Sequence, residues 1–73
     1  MNYNMYLRIS TIKKAISKHP HRDEIMDNLY SLMPFYGDEK SQFVDADAFI
    51  DVCSGESYAK SVKKTVNKII RGV

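Results

Sequence analysis

Four stretches of the chain place apolar side chains at the spacings of regular structure. The clearest is the last. In "SYAKSVKKTVNKIIRG", residues 57–72, Tyr58, Val62, Val66, Ile69 and Val73 recur at helical intervals, and Ala59 and Ile70 widen the stripe. Lys60, Lys63, Lys64, Asn67, Lys68 and Arg71 fall on the opposite side. Ser57 or Ser54 is placed to cap this helix, and Gly72 sits where it should stop. A second helix is expected from about Pro20 to Met33, with Ile25, Met26, Leu29, Leu32 and Met33 inward. Asp23 and Glu24 lie near its positive end, and Pro34 should terminate it. "PFYGDEKS" (34–41) then reads as a turn or loop around Gly37. A short third helix follows from Asp45 to Cys53, with Asp45 as cap, Phe49, Val52 and Cys53 inward, and Gly55 past its end.

The amino-terminal pattern supports two readings. Met5, Ile9, Ile12 and Ile16 fit a helix, while Tyr3, Met5, Leu7 and Ile9 alternate as a strand would. No Gly or Pro interrupts the segment, which favours one helix from about Asn4 to Lys18. The alternative is a strand over 2–9, with Ser10 capping a helix from Thr11. The expected fold is therefore all-α: one compact domain over residues 1–73, a bundle of three to four short helices, with an N-terminal strand plus helices as the alternative.

Seventy-three residues lie near the lower limit for unaided folding. A core of this size typically supplies only about 3–5 kcal/mol, so a second copy of the chain is a natural aid and a homodimer fits. Disulfides are excluded, because Cys53 is the only cysteine; its setting, "AFIDVCSG", suits a buried hydrophobe in a reducing compartment. Residues 1–9 hold no continuous apolar run of a secretory signal, and no stretch is long enough to span a bilayer. A cytoplasmic protein with no membrane partner is expected.

Charge changes this picture more than composition does. Residues 1–22 hold Arg8, Lys13, Lys14, Lys18 and Arg22 and no acid. Residues 23–56 hold all nine acids and only Lys40, and residues 57–73 hold five cations and no acid. The blocks run +5, −8 and +5 around a net charge of +2. Such segregation points either to charged partners or to pairing between the blocks inside the fold. Lys60/Lys64 and Lys64/Lys68 repel at helical spacing by a few tenths of a kcal/mol each, so the basic face is open to something else.

No catalytic chemistry emerges. Asp45, Asp47, Asp51 and Glu56 occupy positions one, three, seven and twelve of a calcium loop, but Phe49 cannot ligate at position five and Ile50 replaces the glycine of position six. His19 and His21 near Asp23 and Glu24 lack the spacing of a zinc site. Cys53 lies on an apolar face beside acids, a poor setting for a nucleophile. There is no Gly-rich phosphate loop. The chain is expected to use no cofactor or metal and not to be an enzyme.

Two binding functions remain. Direct DNA binding would use the clustered lysines. A helix-turn-helix across residues 45–53 and 57–71 fails at Glu56 and Ser61, where that motif wants apolar side chains, and Val62 is out of register by one. A ribbon-helix-helix variant needs a strand over 2–9 that aims Asn2, Asn4, Tyr6 and Arg8 into a groove. The favoured class is a small accessory protein, of the size and character found in phages and mobile elements. It would bind and modulate or inhibit a protein or nucleoprotein partner through charged helix faces. The expected contacts are Lys60, Lys63, Lys64, Lys68 and Arg71, with Tyr30 and Tyr36 as aromatic anchors.

Overall fold

In the computed structural model, which describes residues 5–38, 40 and 42–72 (side chains of 35–38 excepted), the first described element is a strand and not a helix. β1 (Tyr6–Arg8) leads directly into α1 (Ile9–Ala15), and α2 (Arg22–Tyr36) follows. Then come β2 (Gly37–Asp38), β3 (Phe43–Asp45), α3 (Ala46–Val52) and α4 (Ala59–Arg71). The protein is mostly helical with a small antiparallel sheet, so the all-α expectation gives way to its alternative of an N-terminal strand plus helices. Its radius of gyration of 10.9 Å matches the roughly 11 Å of a compact chain of this length.

The sheet runs in the order β1-β3-β2. Leu7 faces Val44, Tyr6 faces Asp45 and Arg8 faces Phe43, while Gly37 and Asp38 of β2 face Val44 and Phe43. Leu7 and Val44 turn inward and are buried; Tyr6 and Arg8 turn out. Ile9 belongs to both periods, last of the alternating set and first of the helical one, so the chain changes from strand to helix there without losing its apolar contact. The single helix expected from Asn4 to Lys18 fails because pairing with β3 outweighs local helical preference. Asn2, Asn4 and Tyr3 lie outside the described residues. Ser10 is not a cap; Arg8 holds that position, with no side-chain bond.

Helix ends depart from expectation in two more places. α2 passes through Pro34 and ends at Tyr36. Pro34 cannot bond back to the carbonyl of Tyr30, but Tyr30 is exposed and water can take that acceptor. The expected loop over 34–41 is therefore partly helix and partly β2. α4 is capped by neither Ser54 nor Ser57; Tyr58 precedes it and makes no side-chain cap bond. Gly72 does stop α4, at an ordinary φ of −80°. What a side chain would meet there is crowding, since a Cβ would lie 3.1 Å from the Lys68 carbonyl. Asp45 behaves as read: its carboxylate accepts the Asp47 N–H at 3.0 Å and starts α3.

One core joins all of this. Ile12 of α1 and Ile16 just past its end, Ile25, Leu29, Leu32 and Met33 of α2, and Phe49 of α3 with Cys53 just past its end meet Val62 and Val66 of α4. No polar or charged residue is buried among the described residues. α1 packs on α4, α2 packs on α3, and α3 also touches α4.

Candidate functional site: the outer face of α4

α4 divides cleanly around its axis. Val62 and Val66 are buried, Ile69 and Ile70 half-buried, and Lys60, Lys63, Lys64, Lys68 and Arg71 all exposed. At 1.5 Å rise per residue, Lys60, Lys64 and Lys68 form a row with steps of about 6 Å. A shallow open groove runs between these side chains, with Asn67 and Gly72 in its lining. None of the five cations has a carboxylate within ion-pair distance among the described residues; the ion pair recorded there is His21 with Glu24, at 3.0 Å. The acidic middle of the chain does not neutralise this helix.

Tertiary packing extends the segregation seen along the chain. α1, carrying exposed Lys13 and Lys14, lies against α4, so the two basic segments become neighbours despite their distance in sequence. The acid-bearing helices pair instead with each other: Asp23, Glu24 and Asp27 on α2, Asp47 and Asp51 on α3. Acidic α3 also touches α4, yet none of its carboxylates comes within ion-pair distance of an α4 cation among the described residues.

The start of α4 is held by a polar junction. His19 Nδ1 accepts the backbone N–H of His21 at 2.9 Å, which leaves the ring proton on Nε2; that nitrogen donates to Ser61 Oγ at 2.7 Å. Asn28 Nδ2 donates to the Tyr58 hydroxyl at 2.7 Å and reaches Cys53 Sγ at 3.9 Å. The His21 ring lies 5.3 Å from that of Tyr58 and its Nδ1 meets Glu24 Oε1 at 3.0 Å. Burial raises the Cys53 thiol pKa above its ordinary value, Glu56 adds to the rise and the Asn28 N–H opposes it. Burial likewise pushes the Tyr58 phenol up, with nearby Glu56 contributing next. Both groups hold their protons more tightly than they would in water, and the Asn28–Tyr58 bond ties α2 to the residue that precedes α4. Cys53 is fully buried, as its apolar setting implied.

The sequence showed only that His19 and His21 lack the spacing of a zinc site, with no sign that His19 clamps α4. No local signal could have shown it, because Ser61 is 42 residues away. Among the described residues no group of three or more His, Cys, Asp or Glu could hold a metal ion. No described helix is long and apolar enough to cross a membrane.

The structure gathers the five α4 cations but not the aromatic anchors. Tyr30 lies on α2, 49% exposed, beside a cleft lined with Ile9, Met33 and Gln42, and not on the basic face. The side chain of Tyr36 lies outside the described residues. No family model, no curated protein and no solved structure matches this chain.

Proposed function

We propose that the chain is a non-enzymatic accessory domain that binds a protein or nucleoprotein partner and modulates it by covering an anionic part of its surface with α4. One observation carries this reading: five exposed cations on one helix, none of them paired with a carboxylate among the described residues. A charged face that does not serve the fold persists most simply because it serves an encounter. Such a face speeds and orients association. The acids of α2 and α3 form no ion pair with the α4 cations among the described residues, so the outer face keeps its charge for a partner.

Direct binding to nucleic acid is the second reading, and a specific feature favours it. The outer face of α4 carries Lys, Arg and Asn but no aromatic or aliphatic anchor. Protein interfaces draw most of their affinity from such anchors, whereas phosphate contacts need only the cations.

A fluorescence-anisotropy titration of the whole chain against labelled duplex DNA and labelled poly-glutamate, at about 50 and 200 mM salt, tests both readings. Micromolar DNA binding that collapses with salt, together with weak binding to poly-glutamate, selects the nucleic-acid reading. Comparable capture of both polyanions supports the accessory reading through generic charge. Capture of neither at the lower salt overturns the role assigned to α4. Lys60→Gln, Lys64→Gln and Lys68→Gln combined should weaken whichever binding is seen by at least about tenfold.

A further inference from the structure

The open edge of the sheet is a second surface, independent of α4. β1 is outermost, and ladder alternation defines what its free side offers. Ile9 N–H donates to Gln42 C=O at 2.8 Å and Ala46 N–H to Met5 C=O at 2.9 Å. Both contacts continue the register in which Leu7 faces Val44. Residues 5, 7 and 9 therefore direct their bonding groups to β3, and the residues between them, Tyr6 and Arg8, direct theirs to the open side. The Arg8 C=O is taken by the first turn of α1. Left over are the N–H and C=O of Tyr6 and the N–H of Arg8, three groups without a partner among the described residues.

Natural edges are guarded by charge, proline or cover. β1 has no proline, and its charged side chain is folded back, with the Arg8 guanidinium 5.2 Å from the Phe43 ring centre. Two of the three large hydrophobic side chains left exposed among the described residues, Met5 at 37% and Tyr6 at 61%, belong to this edge.

We propose that β1 pairs antiparallel with β1 of a second copy of the chain across a two-fold axis, fusing two three-stranded sheets into one. A second copy is the occupant because the edge complements itself. With Leu7 on the axis, each Arg8 N–H donates to the Tyr6 C=O of the other copy, and Met5 comes opposite Ile9. Tyr6 comes opposite Arg8 of the other copy, a ring beside a cation on the outer face. The match closes on residues 5–9 alone. A net charge of +2 per copy opposes it only slightly at physiological salt. Three residues make a small contact, so the dimer is weak and depends on concentration.

Sedimentation equilibrium of the whole chain from about 5 to 500 µM should show the average mass rising from one copy toward two. Arg8→Pro is the discriminating variant. Arg8 already has φ of −75°, follows a strand residue and donates no N–H bond to any described residue, so proline fits the monomer. It should keep the helical circular dichroism of the parent and raise the dimer dissociation constant at least tenfold. Hydrogen exchange gives a second readout that needs no variant. The Leu7 amide should be protected at every concentration, and the Arg8 amide only as concentration rises. A single-copy mass throughout the range would overturn the proposal. So would an unprotected Arg8 amide at the highest concentration, or a dimer whose dissociation constant Arg8→Pro leaves unchanged.

Discussion

The start of α4 and its outer face lie on one helix and handle polar groups in opposite ways. At the start, two polar side chains find partners inside the chain: Ser61 with His19, and the Tyr58 hydroxyl with Asn28. On the outer face Lys60, Lys63, Lys64, Lys68 and Arg71 have no acid to meet among the described residues. Half-buried polar groups must be satisfied within the fold or cost stability. Exposed cations are satisfied by water and remain free for a partner at no such cost. Substitutions at the junction should therefore be read out in stability, and substitutions on the face in binding.

The sharpest way to break that division is Tyr58→Ala. It empties a site only 4% exposed and removes the Asn28 acceptor, so chemical denaturation should show a loss of about 3–5 kcal/mol. Asn28→Ala keeps the ring but strands the phenol and thiol, for an expected loss of about 1–2 kcal/mol by the same measurement. His19→Ala removes one clamp at the edge of the junction and should cost about 1 kcal/mol, with Ser61→Ala in the same background adding little because the two share one bond. Last comes the triple change of Lys60, Lys64 and Lys68 to Gln. It should leave stability within about 0.5 kcal/mol or raise it slightly by relieving like-charge repulsion. A loss of several kcal/mol there would mean that the face serves the fold after all.

Alkali separates the regions without mutation. Cys53 and Tyr58 bind their protons more tightly folded than unfolded. Their contribution is complete below the ordinary thiol value of 9.0, and it is lost as the pH climbs through that value and beyond the ordinary phenol value of 10.0. Urea midpoints should fall across this range, and Cys53→Val should flatten the early part of the fall.

Much of the fold was legible in the residues themselves, for reasons that are local. The α4 stripe, the α2 stripe, the Asp45 cap and the burial of Cys53 all follow from spacing and side-chain chemistry within a few positions. So did the candidate face, because the same period that sends Val62 and Val66 inward sends Lys60, Lys64 and Lys68 outward. Helix ends were less legible. Pro34 reads as a stop, yet α2 tolerates it where the orphaned carbonyl can meet water.

What only the tertiary structure decided is set by partners distant along the chain. Residues 5–9 satisfy both periods, and it is β3, with Val44 opposite Leu7, that makes Tyr6–Arg8 a strand. The placement of basic α1 against basic α4, and of acidic α2 against α3, depends on which apolar stripes fit together, because burial is worth more than the charge separation costs. The His19–Ser61 bond exists only because that packing brings the two residues together. Periodicity assigns each side chain a face, but which element that face meets is decided by the packing of the whole chain.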